Sequence, residues 1–354
     1  MARHEIPLPP AGRLEAVPEQ SETIFNWDYE IHKDSLLNLY EKGKRLQWNA
    51  STDIDWSIDV DPERFPDYFP PEAFNAMLNP PRHLEVKEIL NFRLHQLGWM
   101  LSQFMHGEQG ALLATAQIVN TVPWTEAKFY AASQVADEAR HVEAYRRYLT
   151  EKLPISYPVN PEVHTLLRQI ISDSRWDMTY LGMQIMVEGL ALAAFGVMNF
   201  INPQEPLIQQ ITSFVMRDEA RHVAFGVLSL EDVYPQMTST EIREREEFVI
   251  ESAHLMRDRL LMPEVWERLG YDKDVWTQWS LTTPFMLGFR QLLFSKIVPN
   301  LKRLGLLTPK VRTAFAELGI LQFEDMADST QDTEVTVPPA LLAFFQQVGA
   351  PLPQ

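Results

Sequence analysis

The chain has 354 residues, 45 % of them apolar, which is enough for one large helical domain or two smaller ones. It carries 48 acidic and 31 basic residues, and this net charge of −17 argues against nucleic acid and against anionic membranes as partners. The sequence contains no cysteine, which excludes disulfides, iron–sulfur clusters and thiolate chemistry. Any bound metal must therefore be held by nitrogen and oxygen ligands.

The first 82 residues are rich in proline and predict little regular structure. Residues 1–23 predict an extended or mobile arm, and residues 29–46 predict a helix. Residues 47–82 combine many aromatic side chains with prolines, which predicts an irregular lid wrapped over a helical core. The N-terminus has no apolar stretch of the signal-peptide type, so we expect a cytoplasmic protein.

The middle of the chain predicts two pairs of long helices. Apolar residues at helical spacing indicate the first pair at about 84–120 and 125–153, and the second at about 176–200 and 206–233. A shorter helix at about 162–174 connects the pairs.

One of these helices has the length of a membrane span. Between Asp177 and Glu205 the only ionisable side chain is Glu188. The flanks lack the basic anchors of a membrane helix, and a stretch that is apolar all round with one central carboxylate is typical of the most buried helix of a soluble bundle. We therefore expect no membrane span.

The C-terminal third predicts further helices. Thr238 and Glu241 form a capping-box pattern that opens a helix at about 240–268, and 283–305 predicts another amphipathic helix. The last 30 residues are mixed, and no strand pattern stands out.

A five-residue motif, Asp-Glu-Ala-Arg-His, occurs twice, at 137–141 and again at 218–222. Each copy follows a glutamate in an apolar helix. Glu108 lies 30 residues before Glu138, and Glu188 lies 31 residues before Glu219. Glutamate and histidine three positions apart project from one helical face, so each copy offers one carboxylate and one imidazole to a metal. Four buried glutamates without metal would repel one another, whereas two divalent ions would balance them. The predicted metal ligands are Glu108, Glu138, His141, Glu188, Glu219 and His222.

The residues that flank these ligands repeat as well. A metal-bound histidine usually donates its second ring N–H to a carboxylate, which fixes the tautomer of the ring. We expect Asp218 to hold His141 and Asp137 to hold His222 across the bundle. Arg140 and Arg221 would then neutralise and orient the two aspartates.

At these residues the chain resembles the di-iron carboxylate members of the ferritin-like superfamily. They include the small subunit of ribonucleotide reductase, acyl carrier protein desaturases, bacterial multicomponent monooxygenase hydroxylases and the p-aminobenzoate N-oxygenase group. The resemblance covers about residues 84–234. It implies an all-α fold: a ferritin-like four-helix bundle with additional N- and C-terminal helices. The implied divisions of a single globular domain are an arm, helix and wrap at 1–82, the bundle at 83–234 and accessory helices at 235–354.

Several positions depart from the patterns of the individual families. Leu192 stands where monooxygenase hydroxylases carry threonine, Ala191 where desaturases carry it, and Val215 where N-oxygenases have an additional histidine. Tyr145 matches the radical tyrosine position of ribonucleotide reductase small subunits, but the C-terminal segment has no tyrosine for long-range radical transfer. The chain is also about twice as long as a minimal iron-storage bundle, which favours a substrate pocket.

The predicted function is a non-haem di-iron oxygenase that uses dioxygen to hydroxylate or N-oxygenate a small organic substrate. The alternatives are a di-iron or Mn/Fe radical or ligand-binding oxidase, a desaturase, and a ferroxidase or iron-storage protein. The expected cofactor is two iron ions, with Mn/Fe possible. The expected partners are an external electron donor (a ferredoxin or a flavin reductase) and a second copy in a homodimer. Tyr145 is a candidate catalytic residue, and the predicted pocket comprises Phe104, Met105, Gln134, Gln184, Leu192, Phe195, Val215 and Met216.

Overall fold

The structure is a computed structural model that describes residues 13–60, 71–153, 155–201 and 205–331. Its regular elements within these ranges are helices, and no strand occurs there, which confirms the all-α prediction. Residues 1–12 of the predicted arm, 61–70 of the predicted lid and 332–354 at the C-terminus lie outside the described ranges. The helices are α1 (Asp34–Arg45), α2 (Pro71–Leu78), α3 (Val86–Thr121), α4 (Thr125–Glu151), α5 (Pro161–Ser172), α6 (Trp176–Tyr180), α7 (Glu188–Ile201), α8 (Pro206–Leu230), α9 (Ser239–Asp258), α10 (Pro263–Arg268), α11 (Lys273–Thr282), α12 (Pro284–Leu292), α13 (Val298–Arg303) and α14 (Pro309–Glu317).

A four-helix bundle forms the centre of the molecule. Its helices are α3, α4, a third helix built from α6 and α7, and α8. The third helix packs on α8, and α3 packs along α4, while α1 lies outside the bundle across α4 and α8. The helix α5 runs parallel to α3. Gln103 of α3 donates to the backbone of Pro158, just before α5, and Gln117 donates to that of Ile171, near its end. This crossover brings the start of the third helix back to the end where α4 starts.

Side-chain caps fix where several of these helices begin. Asn160 accepts from the backbone N–H of Glu162 at 3.1 Å, directly before Pro161 opens α5. The capping box predicted for Thr238 and Glu241 is confirmed at the start of α9, with the Thr238 backbone N–H 2.8 Å from Glu241. Such caps satisfy the N–H groups that have no partner inside the helix.

The third helix is not a regular α-helix. Its middle, Leu181–Val187, is a π-helical segment that ends directly at Glu188. π-Helical turns are rare and often lie at functional sites. The stretch Trp176–Asn199 is long and apolar enough to cross a membrane, but 94 % of its apolar window is buried inside the protein. This burial is typical of the core helix of a soluble bundle.

The sequence-based boundaries were wrong in several places outside the bundle. The helix α1 starts at Asp34 rather than 29, because the chain bends at Glu30 and His32 and the backbone N–H groups of His32 and Lys33 bond to Glu126. The predicted lid contains α2. The predicted helix 240–268 breaks after α9, where Met262 takes a left-handed conformation (φ 54°) before Pro263. The predicted helix 283–305 is the two helices α12 and α13, and α11 and α14 were not predicted.

Candidate metal centre

The six predicted ligand residues meet in the middle of the bundle. Glu108 comes from α3, and Glu138 and His141 from α4, with Glu188 at the start of α7. The helix α8 supplies the last glutamate–histidine pair. Every one of these side chains is buried. Two overlapping groups of their nitrogen and oxygen atoms are close enough to hold a cation, namely Glu108, Glu138, His141 and Glu219, and Glu138, Glu188 and His222.

The first group surrounds Nδ1 of His141. This nitrogen lies 3.1 Å from Oε2 of Glu108 and 3.4 Å from Oε2 of Glu138. It also lies 3.2 Å from Oε1 of Glu219. One imidazole nitrogen and three carboxylates therefore converge on one point.

The second group surrounds Nδ1 of His222. Its distances are 3.1 Å to Oε1 of Glu138 and 3.6 Å to Oε2 of Glu188. Oε2 of Glu219 is 3.6 Å away. Glu138 and Glu219 thus each turn one oxygen towards His141 and the other towards His222, so each of these carboxylates could serve as a ligand to two cations.

The other nitrogen of each histidine faces an aspartate from the opposite helix pair. Nε2 of His141 lies 3.1 Å from Asp218, and Nε2 of His222 lies 3.2 Å from Asp137. Arg221 forms an ion pair with Asp218 of its own helix and approaches Asp137 at 3.5 Å. These crossed contacts leave Nδ1 of both rings free to face the carboxylates.

Two residues outside the bundle join this network and were missed by sequence reasoning. The indole of Trp48 donates to Asp218 at 2.7 Å, and Gln47 donates to Asp137 at 2.8 Å. Gln47 also accepts from Arg140, which lies over the Trp48 ring. The only signal in the sequence was the position of this Gln-Trp pair just after the α1 helix, which does not reveal its partners.

The charges at the centre shift the pKa values of its groups in different directions. Burial, together with the charge of Glu219, raises the pKa of Glu108 well above its usual value, and burial also raises the pKa of Glu188. Burial alone would raise the pKa of Glu138, but the charge of His222 first, and then the contact with His141, lower it. Burial would lower the pKa of His141, but the surrounding carboxylates, Glu108 first, raise it well above its usual value. The metal-free centre therefore retains protons that compete with cations.

Several polar atoms at the centre have no hydrogen-bond partner among the described residues. They include one oxygen each of Glu138 and Glu188, both oxygens of Glu219, and Nδ1 of His222. Buried polar atoms are normally paired, so these orphaned atoms need partners. Two divalent cations would meet this need and would balance the four glutamates, so the residues present fit a di-metal cofactor.

Aromatic side chains close one end of the centre, which we call the aromatic end (Phe104, Tyr145 and Phe195). The ring of Phe195 lies 4.5 Å from that of Phe104 and 6.0 Å from that of Tyr145, measured between centroids. The Tyr145 hydroxyl makes no hydrogen bond with the described residues, and burial and the charge of Glu108 raise its pKa well above the usual value.

The other apolar residues of the predicted pocket belong to the hydrophobic core or pack against it. Leu192, Val215 and Met216 are buried, whereas Met105 is only partly buried. Gln134 donates to Glu138 and to Glu188, at 2.9 Å in both cases. Gln184 is fully buried in the π-helical segment.

The fold and the site together define a ferritin-like helical bundle whose centre can hold two metal ions. Among solved structures, the chain is similar to the dimanganese(II)-NrdF of Streptococcus sanguinis, with a TM-score of 0.50 and 14 % identity over 82 % of this chain and 98 % of that chain. It is also similar to variants of an R2-like ligand-binding oxidase with an anaerobically reconstituted Mn/Fe cofactor, one at 19 % identity and a TM-score of 0.44, over 76 % of this chain and 93 % of that chain. At these identities the likeness to the NrdF structure shows the fold alone. No protein-family model and no curated protein matches the chain.

Proposed function

We propose that the protein is a di-metal oxidase that reduces dioxygen at a centre of two iron ions, or of one manganese and one iron ion. The observation that carries this proposal is that both oxygens of Glu138, and both of Glu219, are divided between His141 and His222. One ion would be held by Glu108 and His141, the other by Glu188 and His222, with the two shared glutamates between them. Mixed carboxylate and imidazole ligands suit iron and manganese, and such ions supply the electrons for dioxygen reduction.

The surrounding residues would orient the ligands and keep the centre dry. Asp218 and Asp137 hold the histidine rings from across the bundle, so that Nδ1 and not Nε2 points inward. Gln134 holds Glu138 and Glu188 together through its amide N–H group. The aromatic end excludes water on its side, which protects a strongly oxidising centre from side reactions.

Two oxidation targets are compatible with the aromatic end. The first is Tyr145, whose unpaired hydroxyl stands within the electrostatic reach of Glu108 and supports a radical or ligand-binding oxidase. The second is a small apolar substrate, which the aromatic and aliphatic walls favour and which corresponds to the oxygenase interpretation. We place the oxidase first, since its oxidation target is a side chain of the protein itself and no added substrate is required.

The remaining electrons would come from another protein. The chain carries no flavin or nicotinamide signature, so we propose a ferredoxin or a flavin reductase as the donor. The net charge of −17 is compatible with a basic donor surface. We also propose a homodimer.

The test is anaerobic titration with ferrous iron, alone and with manganese, followed by exposure to dioxygen. We expect two ions per chain, dioxygen uptake, and either a Tyr145 signal in electron paramagnetic resonance or a mass change in the protein. The variant Glu108→Gln should lose one ion, whereas Glu151→Gln, on the exposed C-terminal turn of α4, should bind as the unaltered protein does. Continued iron uptake far beyond two ions would instead identify a storage protein. A product formed from an added apolar compound, with Tyr145→Phe fully active, would favour the oxygenase.

A further inference from the structure

The centre has a second end, opposite the aromatic one, that is lined by polar side chains. Four fully buried polar atoms there have no hydrogen-bond partner among the described residues: Oγ1 of Thr115, Oε1 of Gln134, and both Nε2 and Oε1 of Gln184. We call these three residues the polar end. The hydroxyl and amide groups are neutral, so metal coordination by the carboxylates does not account for them.

The register of α3 and α4 places Thr115 beside Gln134. The two helices are joined by a short turn and run antiparallel, and the contact of Glu108 with His141 fixes their alignment. Thr115 lies seven residues after Glu108, and Gln134 lies seven residues before His141. Both side chains are therefore about two helical turns, roughly 10 Å along the axis, from that contact on the same side.

The direction of the third helix places Gln184 at this end as well. Trp124 precedes α4 and Trp176 begins the third helix, and their rings are in contact with centroids 5.4 Å apart. The two helices therefore start at the same end of the bundle. Gln134 and Gln184 each lie four residues before a candidate ligand glutamate, so both lie on the side of the centre where these helices start.

The close packing of Gln184 shows that its side chain turns inward. Gly182 packs against α5 and α9, on the outside of the third helix, and Gln184 lies two residues further, on the opposite side. A Cβ atom placed on Gly226 would lie 2.6 Å from Cβ of Gln184. Gly226 lies four residues after His222 on α8, so the glutamine stem enters the bundle between the third helix and α8, one turn from the centre.

Buried donors and acceptors without partners cost free energy, and proteins normally satisfy them with ordered water. An anion is disfavoured here, because the carboxylates of Glu138 and Glu188 lie directly beneath Gln134. We propose that Thr115, Gln134 and Gln184 bind ordered water next to the metal ligands, so that the centre has one hydrated and one aromatic end. The position of this water beside a working di-metal centre rests on the proposed function, whereas its presence does not.

The deciding experiment is a crystal structure at about 1.5 Å resolution, with the protein prepared both without metal and loaded with zinc. We expect at least one ordered water within hydrogen-bonding distance, roughly 2.7–3.2 Å, of the Gln184 amide in both preparations. The absence of water there in both would overturn the proposal. Metal stoichiometry is measured separately, so failure of the di-metal function leaves this result interpretable.

A matched pair of variants gives an independent readout. Gln103 is also buried, but its amide is fully paired with Pro158 and Asn160. Gln103→Met should therefore lower the melting temperature of the metal-free protein. If water satisfies Gln184, Gln184→Met should lower it too. A rise in melting temperature for Gln184→Met would show that its amide is unpaired in solution and would refute the proposal.

Discussion

The crossed aspartates allow the two ions to be perturbed one at a time. Nε2 of His141 lies 3.1 Å from the Asp218 carboxylate. The variant Asp218→Asn keeps an oxygen acceptor for this nitrogen but loses the negative charge. A hydrogen bond to a charged group contributes about 1.5–3 kcal/mol, against about 0.5–1.5 kcal/mol for a neutral one. The difference, about 1–1.5 kcal/mol, corresponds to a loss of roughly tenfold in affinity. This is the lower end of the loss of about 10–100-fold that is typical when such partners are removed.

The loss should fall on only one of the two ions. His222 is held by Asp137 at 3.2 Å and not by Asp218, so its ion should retain its affinity within about threefold. Anaerobic calorimetry with ferrous iron would resolve the two binding events. Asp137→Asn should weaken binding of the ion at His222 and leave the ion at His141 unchanged, so each variant serves as a control for the other.

The control must lose a buried charge without touching the centre. Asp177 accepts two hydrogen bonds from Arg245, both at 2.9 Å, and lies 11 residues before Glu188 on the third helix. That is about 16 Å along the axis. Asp177→Asn should lower stability and leave both affinities unchanged. Equal weakening of both ions in Asp218→Asn, or no weakening, would refute the assignment of one aspartate to each histidine.

Three further predictions concern the packing of Gly226, the charges of the centre and the segment before α1. Gly226→Ala places a Cβ against Gln184 and should lower the free energy of unfolding by about 1–3 kcal/mol, as measured by chemical denaturation. The control Gly107→Ala meets no atom within 4 Å and should raise it by about 0.5–1 kcal/mol. Neighbouring carboxylates raise the pKa values of both histidines against the opposing effect of burial, and burial raises the pKa values of Glu108 and Glu188. Metal binding should therefore release protons and tighten as pH rises, and the metal-free protein should lose stability as pH rises above about 6.5. Buffer-dependent calorimetry and pH-dependent melting check these signs. Glu126→Ala removes the acceptor for the backbone N–H groups of His32 and Lys33, which lie at 2.6 and 2.5 Å directly before α1, and should speed tryptic cleavage at Lys33. Unchanged cleavage would show that other contacts hold this segment.

The sequence predicted the bundle because its signals are local and periodic. Glutamate and histidine three residues apart must share a helical face, and the same pattern at Glu138 and Glu219 indicated two equivalent helix pairs. The accessory helices were less predictable, although part of the signal was present. Thr283 before Pro284, and Thr308 before Pro309, place a helix-starting residue before a proline that suits the first helical position.

Other features depend on contacts between distant parts of the chain. Trp48 and Asp218 are 170 residues apart in sequence, and no local pattern links them. The π-helical segment before Glu188 replaces a regular turn in a stretch of apolar residues, where the spacing of side chains does not distinguish the two geometries. The polar end depends on the direction of the third helix relative to α4, which no local sequence pattern specifies.

The crossed Asp–His contacts also bear on how the bundle could be divided. A break in the connection between α4 and α5 would yield two fragments, each with two of the four glutamates and one of the two histidines. In each fragment the histidine would lack its aspartate, because that aspartate lies in the other fragment. Each fragment would also carry only half of the negative charge that balances two cations. The fragments should therefore regain metal binding only when mixed, and metal should in turn drive their association. The protein offers a natural design for metal-dependent fragment complementation.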